Sequence, residues 1–252
     1  MQIKLRQGNQ KYTLLDSKYK IIWSYINFNK FHFTSTPVIW ARNQNCGIGS
    51  KNKSEILYLF SILNSSVTNK VLESNLRSEN EKDYLVSIAS VKEFVRVPEI
   101  TESNRLIKAE VIKRSEEMLA LEEVKLADLV DFSNIMIQKF DAVSVKGDNL
   151  VLCKDKKERK LKIKSSKALV EKTITDNYRS DKLEFEGVKI KLSELKSLPA
   201  IDFEKQESLK DYMDDLVFAL YFNIPLTKVG FEHADEIKRE CEKSTYYQLV
   251  AK

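Results

Sequence analysis

Nowhere does this chain hold an apolar run long enough to cross a bilayer. Its opening residues, Met1-Gln2-Ile3-Lys4-Leu5-Arg6, lack the apolar core of a signal peptide. Cysteine is scarce and odd in number. Cys46, Cys153 and Cys241 stand far apart, with neither metal-ligand spacing nor a disulfide framework. These absences argue against a membrane and for a reducing cytoplasm. Histidine is scarcer still. His32 and His233 are isolated, so each reads as a structural or surface residue, and no metal site is expected.

What is present is enough for a sizeable core. The 252 residues are 42% hydrophobic and 31% charged, which suits one large domain or two ordinary ones. The net charge of +5 is unevenly spread. Residues 1–100 hold 14 Lys and Arg against 8 Asp and Glu, whereas the rest hold 28 against 29. The positive excess therefore lies in the first part, and it points to a polyanionic partner there.

One stretch, Val38 to Leu72, organises the reading. Pro37-Val38-Ile39-Trp40 reads as an apolar strand. A polar loop is expected next, Arg42-Asn43-Gln44-Asn45-Cys46-Gly47-Ile48-Gly49, followed by Lys51 and Lys53. Then Ile56, Leu57, Phe60, Leu63, Val67 and Val71 recur at helical spacing, with Ser54 as the expected N-cap. Gly47 and Gly49 allow positive φ or close backbone approach. The loop thus joins amide and guanidinium donors to bare backbone, the groups that base edges and phosphates bind. Asn43, Gln44 and Asn45 suit adenine, Arg42 suits guanine, and Lys51 and Lys53 suit phosphates. The plainer reading is a connection whose polar residues face water.

Before that stretch the chain reads as β-rich. Tyr12–Leu15 and Lys20–Tyr25 are expected strands. Asn27–Phe33 alternates aromatic and polar residues, which places Phe31 and Phe33 on one face, as core rather than as base-stacking platforms. After it, Tyr84–Ala89 reads as a strand and Ser90–Phe94 as a short turn or helix. Val95–Ile100 closes the segment with Pro98 at an edge or boundary. A domain break is expected at Thr101–Asn104.

Beyond the break, Asn104–Leu121 predicts a long amphipathic helix, and Leu126–Met136 continues helical. Phe140–Val145, a turn at Gly147–Asn149 and Leu150–Cys153 predict a hairpin. Lys154–Lys160 reads as a charged turn before a third strand, Leu161–Lys164. Ser165 or Ser166 is the expected cap of a helix to Tyr178. A second small hairpin is centred on Gly187, and a short helix, Leu192–Leu198, is stopped by Pro199. Helices at Glu204–Phe222 and Thr227–Glu242 complete the chain. The expected class is α+β: a mixed α/β part at residues 1–103, then a helical region with small antiparallel β-hairpins at 104–252.

Three segments carry a family likeness. They are Ile56–Ser65, with its Tyr-Leu-x-x-x-Leu-Asn-Ser run, Phe94–Ile100 with Pro98, and Asp211–Phe222 with its Asp-Asp-Leu-Val run. Their order and spacing resemble the C-terminal specificity region of type IIG restriction–modification enzymes and related N6-adenine DNA methyltransferases. The resemblance covers most of the chain from Val38 onward. It implies that residues 1–103 form a DNA target-recognition domain. It implies double-stranded DNA and a methyltransferase catalytic domain or subunit as partners. S-adenosylmethionine would be that partner's cofactor, with none in this chain. The family's base flipping would have this module hold the duplex while the partner extrudes adenine.

The departures shape the expectation. Neither an Asn-Pro-Pro-Tyr-type loop nor a glycine-rich cofactor motif is present, and no Pro-Asp…Glu-x-Lys arrangement supports a nuclease. A recognition module without catalytic residues is therefore expected. Two rivals stand beside it. One is a small metal-dependent nuclease using Asp211, Asp214 and Asp215, which lie near one helix face. The other is an interaction scaffold built on the long helices.

Overall fold

Four antiparallel strands build the first sheet: β1 (Lys4–Gln7), β2 (Tyr19–Ser24), β3 (His32–Thr34) and β4 (Asn45–Ser50), in the order β1-β4-β2-β3. The computed structural model describes residues 4–7, 17–37, 44–77, 84–178 and 190–230. The strand expected at Tyr12–Leu15 and the one at Val38–Trp40 lie outside the described residues. So do most of the hairpin around Gly187 and the last helix beyond Gly230. The chain is α+β, as its patterning predicts.

β4 is a correction. Residues 42–49 read as a loop because of their glycines, yet from Asn45 onward they form the strand between β1 and β2. Register pairs Gly47 with Arg6 and Ile22, and Gly49 with Lys4 and Lys20. The residues between the glycines decide the matter. Cys46 and Ile48 are buried with Ile21 and Trp23 in one core, a period of two that only a strand supplies. Glycine is the minor feature: Gly47 and Gly49 are ordinary buried positions of the ladder between β1 and β2. Lys20, beside Gly49, is buried and donates to the Thr36 carbonyl at 3.3 Å. Burial holds its ammonium below the ordinary lysine range.

Two helices cover that core where one was expected. α1 (Lys53–Asn64) and α2 (Ser66–Leu76) part at Ser65. Ser65 is extended, with φ −67° and ψ 153°. Its hydroxyl donates to the Ile62 carbonyl at 2.7 Å and accepts from Thr68 N–H at 3.2 Å, so one side chain closes α1 and opens α2. The N-cap of α1 is Asn52 rather than Ser54. Its Oδ1 accepts from the backbone of Ser54 at 3.0 Å and of Glu55 at 3.3 Å.

Tyr84–Ser87 is not a strand. Among the described residues it pairs with no strand, and α3 (Ile88–Phe94) begins directly after it with Ser87 as cap. α4 (Arg105–Glu123) follows as expected. α5 spans only Leu126–Leu129, shorter than the helix predicted to Met136, because Val130 turns to bridge Ile163. Tertiary pairing overrides local propensity there.

The chain divides into two compact units, residues 1–116 with 208–252, and residues 117–207. The break expected at Thr101–Asn104 falls within the first. In the second, β5 (Lys139–Phe140), β6 (Ala142–Lys146), β7 (Asn149–Lys154) and β8 (Lys157–Lys162) precede α6 (Lys167–Asn177). β9 (Ile190–Lys191) pairs with β5, and α7 (Leu192–Ser197) follows it. β6-β7-β8 is a meander whose Val143, Leu150, Leu152 and Leu161 enter a core with Val170, Ile174 and Leu195. Lys154–Lys160 is thus mostly strand, and only Asp155 and Lys156 turn. α8 (Phe203–Phe222) closes the fold, with a 3-10 turn at Leu226–Lys228.

Candidate nucleic-acid interface

The strand β4 splits the expected polar loop into two groups. Five residues at about 3.4 Å each put roughly 17 Å between Asn45 and Ser50. Gln44 and Asn45 stand at one end, and Lys51 and Lys53 stand at the other. Gly47 and Gly49 lie between them, buried in the ladder rather than bare in a loop. Arg42 and Asn43 lie outside the described residues.

At the first end, Gln44 is exposed and Asn45 half-buried. The Gln44 carbonyl accepts from Tyr25 N–H at 2.7 Å, and the Tyr25 carbonyl accepts from Val86 N–H at 3.3 Å. The Trp23 indole N–H donates to the Val86 carbonyl at 2.8 Å. These three bonds gather the turn after β2, the start of β4 and Tyr84–Ser87. The turn presents Asn27, Asn29 and Lys30 to solvent, with Asn27 in the left-handed region at φ 57°. Ile26 and Leu85 are exposed there too, at 44% and 49%. Behind them Phe28 packs edge-on against Phe31 and tilted against Tyr84, and Arg77 lies over the Tyr84 ring at 5.6 Å. Burial, then Glu73, raises the Tyr84 phenol above its usual range, with Arg77 opposing. Beneath, burial pushes the Cys46 thiol up to about 11 despite a hydrogen bond from the Ile88 backbone. That thiol is inert packing.

This end offers amide pairs that match adenine N6 and N7 and a cation for phosphate, on a turn backed by aromatic packing. Asn27, Asn29 and Lys30 were not expected beside Gln44 because Asn27–Phe33 reads as an alternation of aromatic and polar residues. The Asn-Phe-Asn-Lys run carried the turn signal. Phe31, buried at 1%, and Phe33, stacked on Tyr19 and edge-on to Phe60, are core, as the alternation predicts.

At the far end Lys51 is exposed, with no ion pair among the described residues. Lys53 is different. It sits in the first turn of α1 and pairs with Glu116 of α4 at 2.9 Å. A half-exposed pair of this kind contributes little energy, but it occupies the ammonium.

The family-like segments turn out to be joints. Asn64, from the Leu-Asn-Ser run, donates to the carbonyls of Phe31 at 3.2 Å and Phe60 at 3.1 Å, and accepts from Phe31 N–H at 3.2 Å. It ties the Tyr25–Lys30 turn to α1. Tyr58 and Ile62 of α1, Val95 and Ile100, and Leu216, Val217 and Leu220 of α8 meet in one core with Ile107 and Val111. The Tyr221 hydroxyl donates to the Arg96 carbonyl. Ser61 and Ser115 hydroxyls lie 2.6 Å apart where α1 meets α4.

Of the three clustered carboxylates of α8, Asp214 and Asp215 belong to the same packing and Asp211 is exposed. Asp214 accepts from Ser66 N–H at 2.9 Å, at the start of α2. Burial raises its carboxyl above the usual range, with Ser66 opposing. Asp215 is buried. Among the described residues no three His, Cys, Asp or Glu side chains gather as metal ligands. Comparisons with protein-family models, curated proteins and solved structures find no match.

Asn64→Leu removes three hydrogen bonds at a half-buried site and strands the Phe31 backbone. The expected cost is about 2–4 kcal/mol, from roughly 1–3 per unsatisfied group with partial relief by solvent. Chemical denaturation of the variant measures it. A midpoint unchanged from wild type would show that the joint contributes nothing.

Proposed function

We propose that this chain is a sequence-specific double-stranded DNA recognition module of an adenine-methylating restriction–modification system. It works beside a methyltransferase catalytic domain or subunit, and S-adenosylmethionine belongs to that partner. The carrying observation is the end of the first sheet where Asn27, Asn29, Lys30 and Gln44 stand exposed together. They are held there by the Tyr25–Gln44 and Tyr25–Val86 backbone bonds. A second support is the single core shared by the three segments that resemble the family's specificity region. The absence of a membrane-spanning helix among the described residues agrees with such a module.

In this reading lysines neutralise phosphates and set register, while the amides read base edges. Gln44 separates the two roles cleanly. Its structural bond uses the backbone carbonyl, so Gln44→Ala leaves that bond in place. The variant should lose about 1–3 kcal/mol on a preferred sequence selected from a random duplex pool, and much less on unselected DNA. Lys30→Ala should weaken both alike. Competition anisotropy with the two duplexes reads both effects. Selection that enriches no sequence, or a Gln44→Ala loss equal on both duplexes, would rule out base reading at this end.

A further inference from the structure

The second unit carries a charge segregation that the recognition end does not use. Residues 117–207 hold 18 Lys and Arg and 18 Asp and Glu. Between Lys154 and Lys167 the count is 8 against 2, so the rest of that unit holds 10 against 16. A surface kept charged for solubility mixes the signs. Here one sign is concentrated on the edge strand of the meander and its two flanks. Lys156, Lys157, Arg159, Lys160 and Lys162 are all exposed. None makes an ion pair among the described residues, and the Glu158 carboxylate is taken by Lys146.

The turn adds an independent observation. Asp155 and Lys156 are the two central residues of the β7–β8 hairpin, at φ 49° and 62°. Both positions favour glycine or asparagine, and a lysine there is a conformational burden that Gly147, at φ 59° in the β6–β7 turn, avoids. The sequence keeps a cation at the tip against the backbone's preference. Alternation along β8 puts Lys160 and Lys162 two residues apart on one face, about 6.8 Å, near twice the 3.4 Å axial rise per phosphate of one DNA strand, while Lys157 stands exposed on the other face next to the turn.

We infer that the β7–β8 turn and β8, through Lys156, Lys157, Lys160 and Lys162, form a second DNA contact surface that binds the phosphate backbone of the duplex without reading sequence. It rests on the DNA reading proposed above and assigns the second unit a share of the affinity. The outer edge of β8 is open from the turn as far as Leu161, beyond which Asp131 N–H bonds the Lys162 carbonyl at 2.9 Å, and lysines also keep such an edge from pairing with another chain.

The test uses the full chain, labelled duplexes of selected and random sequence, and anisotropy across a salt series. Lys157→Gln, Lys160→Gln and Lys162→Gln combined should flatten the log–log salt slope by about 2–3, at roughly 0.9 per contact. The loss should be equal on both duplexes. Lys156→Gly should melt at a higher temperature than wild type and yet bind DNA more weakly, a pairing that a purely structural lysine cannot give. A triple variant with an unchanged slope, while Lys51→Gln still flattens it, overturns this surface and leaves the DNA reading standing. A wild-type chain that binds no duplex at low salt overturns both. Preferential binding of polyglutamate over duplex makes the surface a site for acidic protein and overturns the inference.

Discussion

Trp23→Ala is expected to cost about 3–5 kcal/mol, the range for deleting a buried tryptophan. Trp23 is 2% exposed at the centre of the first unit's sheet core. Its ring meets Phe31 edge-on at 5.0 Å, and its indole N–H holds the Val86 carbonyl at 2.8 Å. The substitution therefore opens a cavity and leaves Val86 held to the β2 end only by its N–H bond to the Tyr25 carbonyl. At roughly 2–4 °C per kcal/mol, the first unit should melt about 6–20 °C lower. Trp23→Phe separates the two effects. It keeps most of the packing and loses the hydrogen bond, for about 1–3 kcal/mol. Differential scanning calorimetry of both variants gives the comparison. A Trp23→Ala transition within 2 °C of wild type would mean that the core does not depend on this ring.

The same residues show what the sequence disclosed. α4 and α8 were legible because their apolar residues recur at 3.6 with few interruptions, and packing then buried that stripe. The β6–β7 hairpin was legible through Gly147. What escaped depended on partners distant in the chain. β4 looks like a loop until β1 and β2 flank it. Tyr84–Ala89 has strand composition, yet its hydrogen bonds go to Trp23 and Tyr25. Ser65 lies in an unbroken helical pattern, and only its side-chain bonds end the helix. The candidate site shared this fate. Gln44 and Asn45 were expected there by residue type, but their neighbours in the fold, Asn27 to Lys30, arrive through a turn that Asn64 pins from another helix. Lys53 was expected on phosphate, and Glu116, 63 residues away, pairs with it.

Duplex binding should fall about 60- to 4,000-fold between 50 and 200 mM salt, from a log–log slope of roughly −3 to −6 at about −0.9 per phosphate contact. In the first unit Lys18, Lys30, Lys51, Lys70, Lys92, Arg96, Lys113, Lys210 and Lys228 are exposed without ion pairs among the described residues. Others are engaged: Lys53 by Glu116, Arg77 by Glu73, Arg114 by Glu110. All nine on phosphates would give roughly −8, and those facing away from the duplex add nothing, which brings the first unit's share down into that range. Fluorescence anisotropy on mixed-sequence DNA isolates this electrostatic part, because base contacts with amides release few counterions. The selected sequence should then bind tighter at every salt with nearly the same slope, the offset being the contribution of Gln44 and its neighbours. Binding that ignores salt would remove the phosphate contacts from the mechanism. Parallel loss of slope and of sequence preference in Lys30→Ala would show that one lysine serves both tasks, and that positioning and reading are not separable at this end of the sheet.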